Sequence, residues 1–140
     1  MGEGDLQRTI LGALALDPRV LVLSPKAGRG FAFGVEWFRA RPGPRLVLWR
    51  QNTGAVKVPA AGKRSGRYLV FGVPGLPDIL GIHGPSGLLV GLEVKTRVGR
   101  VSGEQAACGA LLSGCGAAFR VVRSLDDALR FAGELLGDGE

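Results

Sequence analysis

The chain reads as one α/β domain with a mixed central sheet flanked by helices, and three observations predict this. Apolar residues recur at helical spacing near both ends, as Leu6, Ile10, Leu11 and Leu14, and as Leu125, Ala128, Leu129, Ala132 and Leu136. Between them lie short apolar runs bounded by Gly, Pro and Ser, which is strand punctuation. Two of these runs, Ile79–Ile82 and Leu88–Val94, flank the turn-rich segment HGPSG and read as a β-hairpin. With 140 residues and 46% hydrophobic content, the chain is long enough for a real core.

Taken in order, the first helix is expected over Asp5–Leu16, ending before Asp17-Pro18. Glu3 and Asp5 lie in or just before its first turn, where acidic side chains complement the helix dipole. Val20–Leu23 is a short strand. Residues 24–44 have an apolar centre, Phe31 to Phe38, and Gly/Pro edges, so they read as an added strand or hairpin. Trp37 and Phe38 there, beside Arg39 and Arg41, suit a core, a dimer contact, or stacking on bases. Arg45–Trp49 is a strand, and Asn52–Gly54 a turn by composition. Residues 60–67 (AAGKRSGR) form a basic glycine-bearing loop, either a hairpin tip or a clamp for an anionic partner. Tyr68–Phe71 is a strand, followed by a turn that presents Asp78.

After the hairpin, Ser102 and Gln105 fit the S-x-x-Q capping box that opens a second helix, Glu104–Leu112. Its Ala, Cys and Leu content predicts burial on the sheet. Gly114-Cys115-Gly116 ends it. Ala117–Val122 reads as a fully buried strand, and Ser124 caps a third helix. Cys108 and Cys115 lie about 10 Å apart by helical rise, too far for a disulfide, so two buried thiols in a reducing compartment are expected. No signal peptide or membrane span is expected either, and the localisation inferred is cytoplasmic.

The hairpin carries the chemistry. Alternation along a strand puts Glu93 and Lys95 on one face with Val94 opposite. The hairpin returns Asp78 to their side. Two carboxylates and an ammonium then share one sheet face, an arrangement suited to a divalent metal ion and a water molecule. From Arg39 to Arg100 the chain has eleven basic residues and two acidic ones, Asp78 and Glu93. The rest has seven basic and ten acidic residues, so the net +6 arises from a centre at +9 and flanks at −3. A basic surface around isolated carboxylates suits a polyanionic substrate. The plain alternative is a Gly/Arg-rich composition with ordinary charges at strand ends. His83 lies in the hairpin turn, and a surface position without a role as base is expected.

Pro77-Asp78, fourteen residues, then Glu93-Val94-Lys95 resembles the signature of the PD-(D/E)XK nucleases. The surrounding segments RQNTGA (Arg50–Ala55), FGVPGLPDILGI (Phe71–Ile82), GLEVKTRVGRVSGEQ (Gly91–Gln105) and FRVVRSLDDA (Phe119–Ala128) resemble the VRR-NUC branch of that superfamily in content and order. Two departures stand out: Gln51 replaces an Asn usual in that branch, and residues 24–44 are an insertion.

The resemblance implies a restriction-endonuclease-like αβββαβ core and a metal-dependent DNA endonuclease. Asp78 and Glu93 would hold Mg²⁺ or Mn²⁺, with the Val94 carbonyl as a further ligand and Lys95 beside the attacking water. Gln105 would point into the site, besides or instead of capping its helix. A glutamate four residues before a glutamine on the first helix joins the metal site in that family, which nominates Glu3, with Asp5 as substitute. Arg50, Asn52, Thr53, Lys63, Arg64, Arg67, Arg97 and Arg100 are the expected nucleic-acid contacts, with Arg123 a further phosphate candidate. Small stand-alone members suggest a homodimer acting on branched DNA, like a Holliday-junction resolvase, in phage or bacterial replication or repair. The alternatives are a restriction-like duplex endonuclease and a non-catalytic nucleic-acid-binding module.

Overall fold

The structure is a computed structural model that describes residues 1–23, 43–51, 54–58, 67–71 and 73–138, with the backbone alone for 54–58 and 67–71. The expectations for residues 24–42 and for Asn52, Thr53, Lys63, Arg64 and the Arg67 side chain lie outside the described residues. Among those described, the order is α1 (Glu3–Leu14), β1 (Val20–Leu23), β2 (Leu46–Arg50), β3 (Gly54–Val58), β4 (Arg67–Phe71), β5 (Ile79–His83), β6 (Leu89–Val94), α2 (Gly103–Gly114), β7 (Ala118–Val122) and α3 (Leu125–Leu136).

The fold is mixed α/β. Five strands form one sheet in the order β1-β2-β5-β6-β7, and β3 and β4 form a separate antiparallel pair. Strands β1 and β2 run parallel, as do β6 and β7, while β5 is antiparallel to both its neighbours. The expected hairpin is present, with Ile79 opposite Leu92 and Ile82 opposite Leu89. The His83 N–H donates to the Leu88 carbonyl at 2.8 Å and closes the turn. Gly54–Val58 carried no strand assignment in the sequence; a glycine and a lysine in a run of five hide its apolar character.

Among the described residues, the main hydrophobic cluster lies on one face of the sheet. Leu6, Ile10 and Leu14 of α1 and Ala128, Phe131, Ala132 and Leu136 of α3 pack with Leu46, Leu48, Ile79, Val90, Leu92, Val94 and Val122. Burying each of the large aliphatic side chains contributes about 1.5–3 kcal/mol. Successive side chains of β7 point to opposite faces. Phe119 meets α2 at Gly109, whereas the Arg120 guanidinium stacks 4.6 Å over the Phe131 ring of α3. Helices α2 and α3 therefore sit on opposite sides of the sheet. Arg19 ties the entry of β1 to the end of α3 by bonding both Asp17 and Asp138.

Four expectations need correction. Helix α2 is not buried: Gly109 is its one buried residue, and Leu111 is 65% exposed. Its less exposed stripe is Gln105, Cys108, Gly109 and Leu112, and it meets the sheet at Glu93 through Gln105 and at Phe119 through Gly109. Accordingly the thiols are not a buried pair, since Cys108 is half-buried and Cys115 exposed. Strand β7 is likewise not fully buried; only Val122 is, and β7 is the edge strand of the sheet formed by the described residues. His83 is no free surface residue but a staple, bonded to Ser86 Oγ at 2.6 Å and to the Leu135 carbonyl of α3 at 2.8 Å.

Candidate active site

Asp78 precedes β5, and its backbone is held because the Gln51 N–H donates to its carbonyl at 2.7 Å. Its carboxylate Oδ2 accepts the Val94 N–H at 2.9 Å, which locks it across the hairpin to the end of β6. Val94 turns its side chain into the core, and Glu93, next to it, faces the α2 side of the sheet. Lys95 follows β6, with its own N–H on the Val122 carbonyl at 3.0 Å. Pairing on both sides of β6 thus fixes the strand that carries the Glu93-x-Lys95 motif.

Glu93 is 1% exposed and Lys95 7%. The Lys95 ammonium stands 3.7 Å from Glu93 Oε1 and 3.9 Å from Glu3 Oε1. Gln105 of α2 donates its side-chain N–H to Glu93 Oε1 at 2.7 Å. Its Oε1 accepts the Ser102 N–H at 2.9 Å, and Ser102 Oγ accepts the Gln105 N–H at 3.1 Å. The capping box and the contact with the carboxylate are therefore both present. Burial pushes the Glu93 carboxyl up to about 8; the Asp78 charge adds to this, and Lys95 opposes it.

Glu3 is the first residue of α1 and reaches Lys95, whereas Asp5 points to solvent and pairs with Arg8, which holds its carboxyl below the usual range. One further residue joins the site. Gln7, 7% exposed and one helical turn beyond Glu3, accepts the Arg50 Nε–H at 2.7 Å. The i, i+4 spacing of Glu3 and Gln7 was the sequence signal for it. Arg50 is thereby drawn against the start of α1. Arg97 and Arg100 are exposed on the loop after Lys95. The Arg123 guanidinium is turned onto that loop, donating to the carbonyls of Thr96 and Gly99.

Asp78, Glu93, Lys95, Gln105 and Glu3 thus come together from four separate segments. Among the described residues, no three His, Cys, Asp or Glu side chains form a ready-made metal cage. What the site offers is a buried carboxyl beside a second carboxylate, both oxygen donors, with one ammonium in contact. That donor set fits a hard divalent cation, which commonly takes one or two carboxylates and keeps several waters.

No protein-family model matches the chain, and neither the curated proteins nor the solved structures compared with it include a match. No helix among the described residues is long and apolar enough to cross a membrane.

Proposed function

We propose that this protein is a metal-dependent nuclease with a restriction-endonuclease-like core. The observation that carries the reading is the convergence of Asp78, Glu93 and Lys95, with Gln105 on the Glu93 carboxyl, within a chain of net charge +6. A buried carboxyl held beside a second carboxylate is costly unless something uses it. Phosphodiester hydrolysis needs this set: oxygen ligands, a cation at the reacting phosphate, and basic side chains for the rest of the polyanion.

Asp78 and Glu93 would hold Mg²⁺ or Mn²⁺, with the Val94 carbonyl as a further ligand. Such an ion, when bound, lowers the pKa of a coordinated water and offsets charge on the scissile phosphate. Lys95 orients the attacking water or neutralises the developing oxyanion. Its compact ammonium suits a pocket between two carboxylates better than a guanidinium fork would. Gln105 fixes the Glu93 carboxyl in one orientation. Glu3 balances Lys95 from the far side. Arg50, Arg97 and Arg100 contact the phosphate backbone. A homodimer, a branched DNA substrate and a place in DNA replication or repair belong to this proposal through the motif resemblance alone.

The test is cleavage of labelled four-way junction, flap, duplex and single-stranded DNA with Mg²⁺, Mn²⁺ or EDTA. Metal-dependent cutting is expected, with loss in Asp78→Ala. Binding of DNA without cleavage in any metal would overturn the nuclease and leave a binding module.

A further inference from the structure

The loop after Lys95 is built around a residue far along the chain. Arg123 follows β7, and one of its guanidinium nitrogens, Nη1, donates to two main-chain carbonyls, Thr96 at 2.9 Å and Gly99 at 2.7 Å. These carbonyls are the two ends of a single turn, closed by the Gly99 N–H donating to the Thr96 carbonyl at 3.2 Å. Arg123 itself is anchored, since its main-chain N–H donates to Asp127 Oδ2 at 2.9 Å in the first turn of α3. The turn is pressed toward the site. A side chain on Gly99 would begin 3.1 Å from Glu3 Oε1 and 3.2 Å from Thr96 Oγ1. Arg97, within the turn, and Arg100, just after it, are exposed.

We propose that Arg123 is a positioning residue: it shapes the loop from Thr96 to Arg100 so that Arg97 and Arg100 stand beside the site as a paired contact for nucleic-acid phosphates. The choice of phosphate as ligand rests on the nuclease reading; the shaping of the loop does not. One nitrogen of the guanidinium, Nη1, is committed to the two carbonyls, which turns the group onto the loop as a brace for its main chain. A charge-assisted bond to a carbonyl is stronger than a neutral one, and two from one nitrogen resist opening of the turn. The loop thereby presents its two arginines with little ordering entropy left to lose on binding.

The experiment compares Arg123→Ala with the wild type, both alone and in an Arg97→Ala/Arg100→Ala background. The Asp127 contact is made by the main chain and survives the substitution, and far-UV circular dichroism checks the fold. Limited trypsin digestion of the native protein reads the loop without any DNA. Cutting after Arg97 and Arg100 is expected to speed up about fivefold or more in Arg123→Ala, because local opening governs cleavage. Duplex binding in EDTA should weaken about tenfold with a shallower salt slope. In the background lacking Arg97 and Arg100, the same substitution should change binding by less than about twofold, since coupled residues do not add. Unchanged loop digestion overturns the positioning role. Additive losses in binding also overturn it, because Arg123 would then touch phosphate directly. A wild type that binds no DNA overturns the phosphate role together with the nuclease reading, while the trypsin result still decides whether Arg123 shapes the loop.

Discussion

Gln105 donates a side-chain N–H to Glu93 Oε1 at 2.7 Å while its own Oε1 accepts the Ser102 N–H at 2.9 Å. One amide closes a helix cap and holds a buried carboxyl. The two tasks can be separated. Ser102→Ala removes the hydroxyl that accepts the Gln105 N–H and should cost about 1 kcal/mol of stability, with kcat within about threefold of wild type because the Glu93 contact stays. Gln105→Ala should cost similar stability and lower kcat at least about tenfold, since Glu93 loses its orienting donor. Equal kcat in the two variants would reduce Gln105 to a cap.

Lys95 is enclosed between Glu93 and Glu3. Lys95→Met keeps the stem and deletes the charge. It should lower kcat by about a hundredfold or more and leave duplex affinity in EDTA within about threefold. Lys95→Arg should not rescue, because a planar fork does not fit the space of an ammonium that is 7% exposed. Single-turnover cleavage and fluorescence anisotropy measure the two quantities.

The Glu93 carboxyl, pushed up to about 8 from an ordinary 4.5, gives metal-free stability a definite slope. The folded protein binds this proton more tightly than the unfolded chain. Stability contributed by the neutral acid is therefore full below about pH 4.5 and falls as pH rises toward about 8. Urea titrations in EDTA should show the decline, on the order of a few kcal/mol across that window. Glu93→Gln mimics the neutral acid and should flatten it. Added Mg²⁺ or Mn²⁺ should raise Tm more at pH 8 than at pH 5, since the ion takes the place of the proton.

Helix α2 meets the sheet through the bare backbone of Gly109, where a methyl group would lie 2.6 Å from the Phe119 ring. Gly109→Ala should push the helix outward, with a loss of about 1–3 kcal/mol and a fall in kcat, because Gln105 rides on the same helix. Trimming the ring in Gly109→Ala/Phe119→Leu should restore part of both. Additive losses, measured as a double-mutant cycle, would show that the close approach is not what seats the helix.

Much of the site could be read from the sequence because its signals are local. Two apolar runs around HGPSG define the hairpin, and the strand period alone puts Glu93 and Lys95 together. Ser102-x-x-Gln105 announces its own cap. The failures concern what lies across from an element. Ala106, Ala107, Ala110 and Leu111 look the same whether a helix is covered or bare, and all four are exposed. That β7 is an edge strand depends on strand order, which AFRVV does not encode. The spacing from Glu3 points to Gln7, but not to its partner Arg50, 43 residues on; the carbonyls that Arg123 holds, 27 and 24 residues away, have no local signal either.

The placing of the main apolar cluster has a consequence for how the molecule responds to heat. Among the described residues the main aliphatic cluster lies between the sheet and helices α1 and α3, while Gln105 is held on the opposite side by a helix with a single buried glycine. Segments with few buried apolar contacts open in separate, cheaper excursions than the whole chain. Amide protons of α2 should therefore exchange faster than those of β6, although both border the same carboxyl. If the proposed nuclease activity holds, its loss on heating should precede the calorimetric transition, and it should recover fully on cooling from that interval.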